Sequence, residues 1–116
     1  MKKICVVGLG YVGLPLAVAL AKYYNVVGFD INQERIQELQ KGYDRTAEID
    51  ESTLKTTALH VTHNAQEIEN QEIYIVTVPT PITKDNKPDL TPLEKACETL
   101  GKVIQKGSII VFESTV

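Results

Sequence analysis

The stretch VVGLGYVGLPLA, residues 6–17, runs two β-branched residues into three glycines, Gly8, Gly10 and Gly13, and then resumes an apolar pattern that contains Pro15. Glycine costs roughly 1 kcal/mol against alanine in a helix interior, so secondary-structure stability does not explain the junction. The spacing G-x-G-x-x-G between a strand and a helix does. Gly8 permits a tight strand-to-helix turn, Gly10 lets backbone N–H groups approach a pyrophosphate with no Cβ in the way, and Gly13 lets the helix pack closely on the sheet. A diphosphate then rests on the positive end of the helix dipole. No Lys-Ser/Thr pair follows, which excludes a Walker loop.

Outward from this loop, strand-like and helix-like segments alternate, the pattern of a parallel sheet with helices on its faces. KICVVG reads as a fully buried strand, because its apolar residues are successive rather than alternate. YVGLPLAVALAKYY reads as a helix with Val12, Leu16, Leu20 and Tyr24 on one face, and with Tyr23 and Tyr24 covering its end. Pro15 falls near the first turn, where it is tolerated. NVVGFD is a second strand ending at Asp30. Asn32 caps a helix through Lys41, with Ile36 and Leu39 inward and Gly42 as its stop.

Residues 43–58 show no clear pattern beyond Asp50 as a candidate cap for a short helix around Leu54. LHVTH is a short strand candidate and NAQEIEN one or two helical turns. EIYIVTV is a buried strand entering the proline-rich loop PTPITKDNKPD. LTPLEKACETLGKVI is a helix with Leu93, Ala96, Leu100 and Val103/Ile104 inward, and SIIVFESTV is a last strand. The expectation is one α/β domain over residues 1–116, a Rossmann-type doubly wound parallel sheet. Right-handed crossovers give it strand order 3-2-1-4-5, a crevice between strands 1 and 4, and no sixth strand.

Asp30 lies twenty positions beyond Gly10, where a carboxylate accepts hydrogen bonds from the adenosine ribose hydroxyls. It repels a 2′-phosphate, and Ile31 and Asn32 supply no cation to receive one, so NAD is favoured over NADP. Arg35 leaves three readings open: a neighbour of adenine or ribose, a receiver for a 2′-phosphate, or a solvated helix charge. FAD proteins share the glycine fingerprint and remain a minor alternative. Thr80, restricted between Pro79 and Pro81, is either a fixed contact for the nicotinamide ribose or part of a rigid loop that closes the sheet edge, and Thr115, just past the last strand, points at the same crevice and is a candidate contact for cofactor or substrate. Glu113 is either a crevice carboxylate or a strand-end charge, the second being preferred.

The chain has 116 residues, 43% of them hydrophobic, and a formal net charge of -3. That balance gives no reason to expect a nucleic-acid partner, and the longest apolar runs fall short of the ~18 residues that span a bilayer. Met1-Lys2-Lys3 precedes glycines rather than a continuous apolar segment, so it is read as a mature N-terminus. Cys5 and Cys97 lack disulfide or C-x-x-C spacing, as in a reducing cytoplasm. Cys5 falls in a central strand and Cys97 on a helix, so neither reads as a reactive thiol. His60 and His63 have no acid or cysteine partner at ligand spacing, and no metal site is expected.

GLGYVGLPLA, GFDIN with the following RI, TVPTP and ESTV together resemble the N-terminal part of the UDP-glucose/GDP-mannose dehydrogenases, over nearly the whole chain. GYDRTAEID and PTPITKDNKPDLTPL resemble the branch that oxidises UDP-N-acetylhexosamines for surface polysaccharides, the Vi type. The resemblance implies conversion of the C6 alcohol of a nucleotide sugar to a carboxylate with two hydride transfers to NAD. It implies cofactor contacts from Gly8, Gly10, Tyr11, Val12, Gly13, Asp30, Arg35, Thr80 and Thr115, with Thr115 also positioning groups around the reacting carbon.

The family's catalytic cysteine, lysine and downstream acids, its sugar-nucleotide domain and its dimerising helix all match positions beyond Val116. Two-step oxidation needs a thiolate to hold the aldehyde, and neither Cys5 nor Cys97 is placed for it. The expectation is therefore a cofactor-binding piece of a longer cytoplasmic, homo-oligomeric enzyme that takes a UDP-sugar through the missing domain. Alone it is expected to bind NAD(H) without turnover. Two other readings share the glycine loop: an NAD(H)-sensing regulatory domain and the cofactor domain of a β-hydroxyacid dehydrogenase.

Overall fold

The computed structural model describes residues 3–10, 12–78 and 84–113. β1 (Lys3–Val7) is buried from Ile4 onward. Its side chains alternate between two cores: Ile4 and Val6 face one, Cys5 and Val7 the other. A strand with a core on each side has no polar face, which is why its sequence reads as one unbroken apolar run.

The chain then builds α1 (Gly13–Leu20), β2 (Asn25–Phe29), α2 (Gln33–Gln40), α3 (Glu51–Thr56), β3 (His60–Thr62), a 3₁₀ turn at Ala65–Ile68, β4 (Ile73–Val76), α4 (Thr91–Val103) and β5 (Ile109–Phe112). The five strands pair in parallel in the order β3-β2-β1-β4-β5, as right-handed crossovers require. The first core joins Leu14, Ala17 and Val18 of α1 to Ile36 and Leu39 of α2. The second joins Ile68 to Ala96, Leu100 and Val103 of α4. The winding reverses between β1 and β4, so the loops after those strands diverge and leave a crevice.

Local chemistry sets the element ends. Asn32, Asp50 and Asn64 each accept a backbone N–H from the first turn they precede, at 3.2, 3.0 and 3.0 Å, the ordinary N-cap arrangement. Gly42, at φ +87°, ends α2 in the left-handed region. Tyr74 is fully buried, and its hydroxyl donates to the Ile68 carbonyl at 2.6 Å and accepts from the Gln71 N–H at 3.2 Å. Burial raises its pKa, opposed by the Gln71 amide, so it remains a neutral donor.

Three expectations are corrected. The inward face of α1 is Leu14, Ala17 and Val18, with Val12, Leu16 and Leu20 only half-buried. The helix starts at Gly13, and the close contact of Gly13 with the Gly8 carbonyl fixes which side of the helix meets the sheet. Tyr23 and Tyr24 do not cover its end; they are 74% and 40% exposed. Ile104 is the C-cap of α4 and is exposed, the inward row ending at Val103.

Gly13 explains the close approach. A Cβ there would stand 1.8 Å from the Gly8 carbonyl oxygen and 2.3 Å from Thr77 Oγ1, and neither atom belongs to a flexible tip. Gly13→Ala is therefore expected to lower stability by about 3 kcal/mol, seen as a lower urea midpoint at unchanged slope. An unchanged midpoint would show that the loop yields freely.

Candidate functional site

The loops at the carboxyl ends of the strands line a cleft of about 320 Å³. Its walls are Gly8, Leu9 and Gly10 after β1, Asp30 to Asn32 after β2, Val78 after β4, Pro92 and Ala96 of α4, and Arg35, Arg45 and Thr46.

The glycine loop is fixed from several sides. Gly8, at φ +96°, turns the chain out of β1, and its N–H donates to the Phe29 carbonyl at 2.8 Å. Its own carbonyl accepts from the buried Thr77 hydroxyl at 2.6 Å. Asp30 Oδ2 accepts the Leu9 N–H at 3.0 Å and Oδ1 the Asn32 N–H at 2.9 Å. Arg35 Nε donates to the Leu9 carbonyl at 2.7 Å. The Leu9 peptide is thus gripped at both its N–H and its C=O by the two charged residues that the sequence marks out near the adenosine.

Gly10 differs from its neighbours. It has no positive φ, and a Cβ built on it would meet nothing within 4 Å. Among the described residues nothing demands a glycine there, and the position lies at the wall of the cleft. Val12, the N-cap of α1, has no side-chain cap bond, and the first turn holds no acidic residue. α2 and α3 start on Asx caps instead. The start of α1 therefore offers amides and a positive dipole end that no side chain of its own first turn neutralises.

Arg35 is not a solvated helix charge. It is 6% exposed, and Nη1 donates to Glu38 Oε1 at 2.7 Å and Asp44 Oδ1 at 2.9 Å. Nη2 is buried without a partner among the described residues, a costly state for a charged donor. Arg45, which is more exposed, reaches Glu38 through Nε at 2.9 and 3.0 Å. An orphaned guanidinium nitrogen, a Cβ-free mouth and an uncapped helix start fit the diphosphate and ribose of a dinucleotide.

Asp44 organises the 43–50 segment that the sequence leaves blank. Its Oδ1 accepts from the Thr46 N–H at 3.0 Å and the Thr46 hydroxyl at 2.6 Å, and its Oδ2 from the amides of Glu48 and Ile49 at 3.0 and 3.1 Å. Burial pushes this carboxyl up, but the bonds from Thr46, Arg35 and the Ile49 amide outweigh it and bring the pKa down to about 2.

Tyr11, Thr80 and Thr115 lie outside the described residues. Gly8, Gly10, Asp30 and Arg35 meet in the cleft, whereas Val12 and Gly13 stand just behind it at the start of α1. Glu113 is exposed beyond β5, and its N–H donates to the Val76 carbonyl at 2.8 Å. His60 contacts Glu67 at 3.1 Å, an acid partner seven residues on, and among the described residues no three His, Cys, Asp or Glu side chains gather as a metal site. Sequence reasoning missed Thr77, Glu38, Asp44, Arg45 and Thr46. The sequence signals for the last four were the alternation of charges from Glu38 to Glu48 and, for Asp44, Arg45 and Thr46, the GYDRTAEID stretch that carries part of the resemblance.

The low Asp44 pKa is a statement about stability. A carboxyl depressed in the folded state adds stability that is complete above its unfolded pKa of ~3.9 and is lost as pH falls towards 2, an effect of about 2 kcal/mol. Asp44→Asn is expected to lower urea stability by about that amount at pH 7. The gap from wild type should narrow between pH 5 and pH 2.5. A gap independent of pH would place the stabilisation elsewhere.

The family model described as "UDP-glucose/GDP-mannose dehydrogenase family, NAD binding domain" matches residues 2–116. The chain is 56% identical over 115 residues to the UDP-N-acetyl-D-glucosamine 6-dehydrogenase of Pseudomonas aeruginosa, a match covering 98% of this chain and 27% of that protein. It is 55% identical over 115 residues to Protein CapL of Staphylococcus aureus, covering 99% and 27%. Its fold is similar to that of the UDP-D-ManNAc dehydrogenase of Pyrococcus horikoshii, with a TM-score of 0.88 and 36% identity over 99% of this chain and 29% of that one. The chain thus spans 27% of the length of the curated relatives it matches. Its glycine loop, strand order and length of match lead to one conclusion: the chain belongs to the UDP-glucose/GDP-mannose dehydrogenase family, and it carries that family's NAD-binding domain.

Proposed function

We propose that this chain is the cofactor-binding part of a nucleotide-sugar 6-dehydrogenase that oxidises the C6 alcohol of a UDP-N-acetylhexosamine to a uronic acid, for surface polysaccharide synthesis in the cytoplasm. The observation that carries the proposal is the open face of Gly10 at the uncapped start of α1, with the Asp30 carboxylate braced beside it. The named substrate of the Pseudomonas relative, at 56% identity, supports the sugar class. Among the described residues no helix is long and apolar enough to cross a membrane.

In this reading NAD supplies the hydride acceptor and the chain supplies its placement. The amides from Gly10 through Gly13, with Tyr11 and Val12 among them, would hold the diphosphate. Asp30 keeps one oxygen on the Leu9 N–H and the other on the Asn32 N–H, and its remaining lone pairs would accept from the adenosine ribose hydroxyls. Arg35 holds the Leu9 carbonyl, and its unpaired Nη2 gives the adenosine end a donor. Thr80 and Thr115 would contact the nicotinamide side, and Thr115 would also help position the reacting carbon. The rest of a homo-oligomeric enzyme would bring the UDP-sugar and the thiolate for the second oxidation. Cys5 is unsuited to that task, since burial pushes its thiol up to about 12, and Cys97 lies exposed on α4.

Gly10→Ala is expected to fold with an unchanged melting temperature and to lose NADH affinity by about 10-fold or more, read by nucleotide fluorescence titration. Retained affinity would remove the diphosphate from this loop. For the whole enzyme, two NADH should form per UDP-N-acetylhexosamine consumed, whereas this chain alone should turn over none.

A further inference from the structure

Two guanidinium groups, Arg35 and Arg45, line the same cleft as Asp30. An arginine near the adenosine ribose is the usual receiver of a 2′-phosphate, so two of them would ordinarily invite NADP. Glu38 stands between them. Its Oε1 accepts from Arg35 Nη1 at 2.7 Å, and its two oxygens accept from Arg45 Nε at 3.0 and 2.9 Å. The Glu38 side chain is 12% exposed and that of Asp44, on the other side of Arg35, is fully buried. Burial raises the Glu38 pKa, but the bonds from Arg35 and Arg45 outweigh it and the net shift is downward, so the residue is ionised at neutral pH.

Over this group the formal charges are two positive, Arg35 and Arg45, and three negative, Asp30, Glu38 and Asp44. The sum is -1. Without Glu38 it would be 0, and Arg45, held by Glu38 alone among its side-chain ion pairs in the described residues, would be free to turn into the cleft.

We propose that Glu38 sets the preference for NAD(H) over NADP(H), by holding Arg45 away from the 2′ position and cancelling the charge of both arginines. Glu38 is not among the residues that line the cleft. It is a specificity residue acting through Arg35 and Arg45. The proposal rests on the cofactor reading above and adds to it the means by which the 2′-phosphate is refused. Asp30 alone repels at one point, whereas Glu38 removes the attraction that two neighbouring cations would supply.

The test is titration of wild type and Glu38→Gln with NADH and with NADPH, at 50 mM and 500 mM KCl. Arg35 keeps the Leu9 carbonyl and Asp44 in this variant, so the fold should survive, and a melting curve checks it. NADPH affinity is expected to rise about 5-fold at low salt and NADH affinity to stay within about 2-fold. The gain should shrink at high salt, where exposed charges are screened beyond roughly 3–5 Å. Adding Arg45→Gln to Glu38→Gln returns the sum to -1 and should return the NADPH to NADH ratio to that of wild type. A ratio unchanged in Glu38→Gln, or one that Arg45→Gln does not reverse, overturns the inference. Failure of wild type to bind NADH overturns instead the cofactor reading beneath it.

Discussion

The peptide between Gly8 and Gly10 has no regular secondary structure to hold it, yet everything around the cleft is referred to its position. Its N–H is taken by Asp30 and its carbonyl by Arg35, so β2 and α2 fix the shape of a loop that belongs to β1 and α1. Such bonds involve charged partners and are roughly twice as strong as neutral ones. The arrangement means that the residues best placed to meet a dinucleotide also maintain the surface it meets.

The same loop shows three glycines present for three separate reasons. Gly8 has the left-handed backbone of the turn, Gly13 the close approach of α1 to the Gly8 carbonyl and Thr77, and Gly10 neither. The first two are explained by the protein alone. Among the described residues nothing around Gly10 requires a glycine, which is what the proposed contact with a diphosphate leads one to expect of a position at the cleft wall.

Electrostatics at the Asp30–Arg35 end of the cleft are layered. Arg35 is desolvated in the interior, and a buried charge of this kind persists only when paired and hydrogen-bonded. Glu38 and Asp44 supply the pairing, and Asp44 also ties down four groups of its own segment, the Thr46 amide and hydroxyl and the Glu48 and Ile49 amides. A stretch without hydrophobic periodicity is therefore ordered by one carboxylate together with the packing of Ile49 on the first core, which places Arg45 and Thr46 at the cleft wall.

What the sequence by itself determined was whatever depends on neighbours along the chain. The buried run at Ile4–Val7, the caps at Asn32 and Asp50, the stop at Gly42 and the G-x-G-x-x-G spacing followed from local periodicity and turn chemistry. The strand order followed from connection handedness. The tertiary structure decided what depends on residues distant in sequence. It turned α1 onto Leu14, Ala17 and Val18 rather than the row through Leu16, because Gly13 must touch the Gly8 carbonyl. It also buried Arg35 against Leu9, 26 residues away, and set Thr77 beneath Gly8, 69 residues away. Hydrogen bonds across such separations leave no periodic trace, since each needs only one donor and one acceptor brought together by the packed sheet.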